Sequence, residues 1–403
     1  MYPTIYHALL DLLGWDVPGL KLVNSFGFFV ALAFVAAAAL LRREMNRLQA
    51  QGVFQPLQLE VVVGKMPNPA ELASQALVGF LFGWKFLYLM LNAGELFDGR
   101  TPPQAHLFSG EGSILLGLLM AALFAGLRYR SAKKEALPEP QKKTLNLPAS
   151  EHVGAIVTAA AVGGLSGAKL FHLLEYPAEF KAFLESPSLN AFLGGLTIYG
   201  GLIVGGLAVY FVARKRGLSF PSLADATAPG LMLAYGIGRI GCQVSGDGDW
   251  GIPNPHPKPQ FLSFLPDWMW SYAYPNNVNA VFGERPAGYT GKLITETDPW
   301  PIFEGYGTYL SPNVYPTPFY ETVMAVVIFA ILWSLRKKIT IPGKLFALYM
   351  IFNGIERFLI EKIRVNTELN WAGMTFTQAE LISTLTFLSG LILWFFLSRK
   401  RPH

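Results

Sequence analysis

VNSFGFFVALAFVAAAALLRR, residues 23–43, decides the kind of fold this chain adopts. From Val23 to Leu41 it carries no charge, a length that suits the ~30 Å hydrocarbon core of a bilayer, and Arg42, Arg43 and Arg47 close it at one end. A helix is the only single-segment way to satisfy the backbone of such a run in lipid, and the arginines mark its cytoplasmic side. The residues before it lack the basic n-region of a cleaved leader, so it reads as a retained anchor helix.

Working outward, further spans are expected at 74–93, 112–129, 153–175, 194–213, 222–243, 315–335, 343–363 and 376–397, each near the length a bilayer requires. With 52% hydrophobic and only 15% charged residues in 403, lipid is the solvent for most of the chain. The clusters Arg42/Arg43/Arg47, Arg128/Arg130/Lys133/Lys134, Arg214/Lys215/Arg216, Arg336/Lys337/Lys338 and Arg399/Lys400/Arg401 all fall on one side if the N-terminus is outside and nine helices follow. The expected fold class is therefore an all-α polytopic membrane protein of about nine transmembrane helices, with a cytoplasmic C-terminus and an extracytoplasmic head loop. A net charge of +5 confined to the ends of apolar runs is a topology signal and not a nucleic-acid groove.

The expected organisation is an interfacial N-terminal arm at 1–22, and a segment 23–130 holding three spans and a cytoplasmic loop 43–73. A cytoplasmic linker at 131–152, core helices at 153–243, a head at 244–314 and C-terminal core helices at 315–403 follow. The arm reads either as an amphipathic interfacial element or as a frayed terminal helix. The alternation of Leu57, Leu59, Val61 and Val63 predicts a short strand, and the linker, rich in Lys, Glu and Pro, is expected to have no packed core. The head carries Trp250, Trp268, Trp270, Tyr272, Tyr274, Trp300, Tyr306 and Tyr309, aromatics that favour a membrane surface. No internal repeat is visible, which argues against a two-half transporter. Cys242 is the single cysteine, and the six histidines show no metal-binding spacing, so no metal and no cofactor is expected.

Ionisable residues inside spans are costly and so mark candidate sites: Lys85, Lys169, Arg239, Glu356, Arg357 and Glu361. In LMLAYGIGRIGCQV, residues 231–244, Tyr235, Arg239 and Cys242 share a helix face, with Gly236, Gly238 and Gly241 allowing close helix approach. Asn353, Arg357, Glu361 and Arg364 share another. Both arginine stripes point to the outer leaflet, where guanidinium matches a phosphate in a bidentate fork, so a phospholipid headgroup is the natural ligand. The bland readings stay beside these. Arg239 alone could be a snorkelling or structural arginine, and Arg357 with Glu361 a self-neutralising i,i+4 pair. Lys85 and Lys169 read as structural, and Cys242 as a small packing residue. Gly194, Gly195, Gly200, Gly201, Gly205 and Gly206 around Tyr199 permit helix contact, the simpler reading, or a lipid path.

The order of motifs resembles the prolipoprotein diacylglyceryl transferase family: TIYGGLIVG (197–205), GRIGCQVSGDGDWG (238–251), YPTPFYE (315–321), GIERFLIEKIR (354–364) and TFTQAELIS (375–383). The resemblance covers 20–50 and 153–398; the helices at 74–93 and 112–129 and the linker to 150 lie outside it. Arg239, Arg357, Glu361 and Arg364 match the family pattern. Tyr199 stands where the family has His, Cys242 and Ser245 where it has Asn, Phe26 where it has Tyr, Asp247 or Asp249 where it has its signature Glu, and YPTP where it has His-Pro-Ser-Gln.

The resemblance implies phosphatidylglycerol as donor and the lipobox cysteine of a prolipoprotein signal peptide as acceptor, at a bacterial cytoplasmic membrane with the site facing the outer leaflet. It implies a catalytic set of Tyr199, Arg239, Arg357, Glu361, Asp247 and Asp249, with Arg239, Arg357, Arg364, Gly200, Gly201, Cys242 and Ser245 against the substrate. Arg239 and Arg357 take the phosphate, and the base is open among Tyr199, Asp247, Asp249 and Glu361. Two other classes remain: another phospholipid-dependent transferase, revealed by a product without a protein thioether, and a non-catalytic lipid- or lipoprotein-binding protein, revealed by lipid binding without complementation. A transporter is the weakest reading.

Overall fold

Four of the long helices begin at a side-chain cap, those after Asn24, Asn68, Ser113 and Thr377. The computed structural model describes residues 1–91, 109–178, 180–181, 195, 197–279, 283–284, 288–366, 368–371 and 374–399. A short helix α1 (Ile5–Leu13) leads to α2 (Ser25–Ala50), where the Asn24 side chain accepts from the Gly27 N–H at 3.1 Å. The strand β1 (Leu57–Val63) precedes α3 (Pro69–Leu91) and α4 (Ile114–Glu135), capped by the Asn68 and Ser113 side chains, with Pro69 in the first turn of α3. After β2 (Gln141–Leu147) come α5 (His152–Glu175), α6 (Ile198–Lys215) and α7 (Phe220–Ser245). A small antiparallel sheet of β3 (Gly283–Glu284), β4 (Thr290–Leu293) and β5 (Thr308–Ser311) leads to α8 (Thr317–Leu335) and α9 (Lys344–Glu361). A hairpin of β6 (Glu368–Trp371) and β7 (Met374–Thr377) then starts α10 (Gln378–Ser398) through a capping box between Thr377 and Glu380.

Six of these helices, α2, α3, α4, α5, α8 and α10, are long and apolar enough to cross a membrane, and the chain is a mostly helical, polytopic membrane protein. Their outward faces stay apolar and uncovered: 6% of the α4 span is buried inside the protein, as suits a surface solvated by lipid. α7 is the centre of the bundle, packed on α2 and α8, with α9 joining α7, α8 and α10, while α5 and α6 form a close pair. α3 and α4 pack chiefly on each other. Lys85 belongs to that hairpin, its Nζ donating to the carbonyls of Ser109 and Glu111 at 2.7 Å, a structural role.

Three expectations need correction. The linker at 131–152 is ordered: α4 runs to Glu135, and β2 pairs antiparallel with β1 from Leu57 opposite Leu147 to Val63 opposite Gln141. A strand needs a partner for its backbone groups, and the expected strand at β1 could not have stood alone. The class is accordingly not purely α, since three small sheets accompany the helices. Finally, α2 continues to Ala50, so the loop placed at 43–73 begins as helix. Residues 92 and 93 of the expected second span, and Gly194 at the start of another, lie outside the described residues.

The reason for the α2 extension is Glu44. This buried carboxylate pairs with Arg47 at 2.7 Å and with Arg336 at the end of α8 at 2.8 Å, and Arg336 lies over the Trp333 ring at 3.5 Å. Breaking such a pair strands a cation, so Glu44→Gln is expected to cost about 3 kcal/mol and to lower the unfolding midpoint in detergent. An unchanged midpoint would contradict it.

Above the bundle, Trp250, Tyr274, Tyr289, Leu310 and Val314 form a buried cluster in the 244–314 segment, with Met1, Tyr272 and Val365 against it. The arm joins this cluster: Tyr2 N–H donates to Val244 O at 2.8 Å and the Met1 ammonium to Pro275 O at 2.6 Å.

Candidate functional site

Three elements bring one charged cluster together. α7 presents Arg239, whose guanidinium lies 5.2 Å from the centre of the Tyr235 ring one turn earlier, as their shared face predicts. α9 presents Glu356, Arg357 and Glu361, and the turn after it Arg364. The start of α8 supplies Glu321, fully buried. Glu321 is the hub: Oε2 meets Arg239 Nε at 3.1 Å, and Oε1 meets Arg364 Nη1 at 3.4 Å and Arg357 Nη1 at 3.6 Å. The two arginine stripes therefore do converge, on a carboxylate that the sequence reading did not single out.

Glu361 takes Arg357 Nη2 at 2.7 Å on one oxygen; on the other it accepts from Asn366 Nδ2 at 2.5 Å and Thr377 Oγ1 at 2.6 Å. Tyr235 OH donates to Glu321 Oε1 at 2.9 Å and also reaches Glu356 Oε1 at 3.3 Å. A single phenolic proton satisfies one acceptor, and Glu356 Oε2 has no partner among the described residues. Tyr199, from α6, faces the same cluster beside Arg357, Glu361 and Arg364.

Asp249 bridges Arg239 and Arg364 through both carboxylate oxygens. Its backbone is fixed, the carbonyl accepting from Thr317 Oγ1 at 2.8 Å and the N–H donating to Asp247 Oδ1 at 3.3 Å. The loop reaches this point because Gly251 lies against the chain that carries Arg364; a Cβ there would sit 2.5 Å from Ile363 O. Burial alone would raise the Asp249 carboxyl, but the guanidiniums of Arg239 and Arg364 outweigh it and hold it below the ordinary value. Asp247 is shifted the other way, raised by burial and then by the negative charge of Asp249. Structure thus separates two aspartates that the sequence left equivalent.

The remaining expected site residues fare differently. Cys242 is buried, its Sγ 3.8 Å from Arg239 Nη1 and 3.5 Å from Asp249 Oδ2, so it borders the cluster. Sγ and the Asp247 and Asp249 carboxylates lie within 4.8 Å of one another, but two guanidiniums already engage Asp249 and oppose a cation there. Ser245 is fully buried at the end of α7, its carbonyl accepting from Val278 N–H at 3.2 Å and its hydroxyl without a partner among the described residues. Gly200 and Gly201 serve the α5–α6 seam: a Cβ on Gly200 would lie 2.4 Å from Gly167 O, and one on Gly201 3.1 Å from Gly164 O.

Glu321 had a signal in the sequence. Arg239 and Arg364 are left without an acid once Glu361 is assigned to Arg357, and Glu321, the fifth residue of the apolar run 317–335, supplies a missing counter-charge.

The chain matches the family model described as prolipoprotein diacylglyceryl transferase over residues 113–396, a stretch that also takes in α4, beyond the motifs quoted above. Among curated proteins named phosphatidylglycerol–prolipoprotein diacylglyceryl transferase, that of Corynebacterium diphtheriae is 28% identical over 211 residues, 51% of this chain and 64% of the relative. That of Cutibacterium acnes is 27% identical over 261 residues, 63% and 69% of the two chains, and that of Shouchella clausii 27% over 285 residues, 70% and 82%.

Proposed function

Since this chain belongs to the prolipoprotein diacylglyceryl transferase family, we propose that it moves the diacylglyceryl group of phosphatidylglycerol to the lipobox cysteine of a prolipoprotein. The observation that carries the proposal is the convergence of Arg239, Arg357 and Arg364 on one buried carboxylate within the apolar bundle. Three guanidiniums at that depth suit the phosphate of a membrane lipid, which keeps its acyl chains in hydrocarbon while its anion reaches the fork.

The reaction needs two services. The acceptor thiol gives up its proton, its sulfur attacks the glyceryl carbon bearing the phosphoester, the C–S bond forms, and the C–O electron pair leaves with glycerol phosphate. Arginines preset around the phosphate stabilise the charge that grows on it. For the proton, Glu361 and Asp249 are engaged with guanidiniums, whereas Asp247 lies within 4.8 Å of Cys242 Sγ, accepts from the Asp249 N–H, and has its carboxyl raised. Asp247 is the base in this reading. Tyr199 lies beside Arg357, so Tyr199→Phe is expected to lower kcat/KM by less than about tenfold, the worth of at most one hydrogen bond. A loss of several hundredfold would make Tyr199 a proton carrier.

In this topology about nine helices cross a bacterial inner membrane, the arginine-rich ends lie in the cytoplasm, and the 244–314 segment is an outer head beside the site. The test is transfer of labelled glyceryl from phosphatidylglycerol to a lipobox peptide and to its Cys→Ser version. Label on the cysteine peptide alone supports the reading. Bound phosphatidylglycerol without label on either peptide supports a lipid-binding protein, and a labelled product without a thioether a different phospholipid transferase.

A further inference from the structure

The ion pairs of the cluster stand three against three, with Glu356 facing the Tyr235 hydroxyl at 3.3 Å. Arg239, Arg357 and Arg364 face Glu321, Glu361 and Asp249, each arginine within ion-pair distance of at least one of these acids. A phosphodiester entering this cluster adds a negative charge in a poorly hydrated place, so one of the three carboxylates must yield its arginines.

The carboxylates are not equally free to do so. The side chains of Glu321 and Glu361 are 0% exposed, whereas that of Asp249 is 31% exposed. Glu321 is held by three guanidiniums and the Tyr235 hydroxyl, and Glu361 by Arg357, Asn366 and Thr377. Asp249 is held by the two arginines and, weakly, by Cys242 Sγ at 3.5 Å. Its backbone stays anchored by Thr317 and Asp247, so rotation of the side chain alone frees the Arg239–Arg364 fork.

We propose that Asp249 is a displaceable internal anion that selects the ligand: it occupies the Arg239–Arg364 fork until the phosphodiester of a glycerophospholipid replaces it. This rests on the phosphate reading of the arginines given above. A neutral glycerolipid has no anion to exchange for the carboxylate and leaves the fork closed. The carboxylate thus lowers apparent affinity for every lipid and lets only an anionic phosphodiester recover the loss.

The test uses the full chain in detergent, with phosphatidylglycerol and diacylglycerol as probes, and reads binding by native mass spectrometry and by the lipid-induced rise in unfolding temperature. If the fork is open in about one molecule in ten, Asp249→Asn is expected to bind phosphatidylglycerol about tenfold more tightly than the wild-type chain. Its unfolding temperature should also rise further with that lipid, since tighter binding stabilises more. Asp249→Ser should behave alike, guarding against a fault of one variant, and Asp249→Glu should keep the weaker affinity. Equal or weaker binding by both neutral variants, with the wild-type chain still preferring phosphatidylglycerol, would overturn the exchange and leave the phosphate site standing. Failure of every form to prefer phosphatidylglycerol to diacylglycerol would overturn both.

Discussion

Arg239→Ala is expected to abolish measurable transfer, with kcat/KM falling at least about 10³-fold, on the scale of removing one or more preset donors to a developing anion. Arg239 meets both Glu321 and Asp249, so its loss does more than delete one phosphate donor. Glu321 Oε2 loses the guanidinium that faces it, while Oε1 keeps the Tyr235 hydroxyl at 2.9 Å and Arg357 and Arg364 at 3.6 and 3.4 Å. The hub carboxylate then pulls the other two arginines inward, away from a substrate. Arg239→Lys restores charge as a point and not as a planar fork, and is expected to recover only a minor part of the rate. Glu321→Gln should mimic the alanine variant in part, because it frees the arginines from their common anchor without removing any of them. The check is single-turnover transfer with saturating phosphatidylglycerol, together with lipid binding. Wild-type turnover by Arg239→Ala would sink the phosphate assignment.

The helices were legible because their information is local. Val23 to Leu41 with its terminal arginines and the shared faces of Tyr235/Arg239/Cys242 and Arg357/Glu361/Arg364 all lie within a few turns of chain. What escaped was set by distant partners. Gln141–Leu147 is too polar to announce a strand, and becomes one because β1, 84 residues earlier at the Glu60–Thr144 pair, offers backbone groups that need satisfaction. Ser245 lies in a motif that resembles a substrate-contacting one, yet the 278 region covers it. Gly200 and Gly201 are legible only as small residues; which surface they meet depends on Gly164 and Gly167 of the neighbouring helix. Glu321 was visible as a letter in YPTPFYE but acquires its meaning from arginines on two other elements.

The same distinction settles what pH should do. Asp247 and Asp249 are two residues apart, and local sequence gives each the same claim to the proton of the attacking thiol. The fork claims Asp249 and holds it ionised and engaged, whereas Asp247 is raised by burial and by its neighbour's charge. A base with a raised pKa is inactive while protonated, so kcat should climb as pH rises through a value above the ordinary carboxylate range. Asp247→Asn is expected to lose that acid limb and to lower kcat by about 10²–10³-fold, the usual worth of a positioned base, with phosphatidylglycerol binding little changed. Asp249→Asn, in contrast, removes no proton acceptor and should keep the limb but move it to lower pH, because the neighbouring charge that helps raise Asp247 is gone. The deciding measurement is the pH profile of single-turnover transfer for the three proteins. An unaltered limb in Asp247→Asn would pass the role to another group, and since Glu361 is tied to Arg357, Tyr199 would then be the residue to replace next.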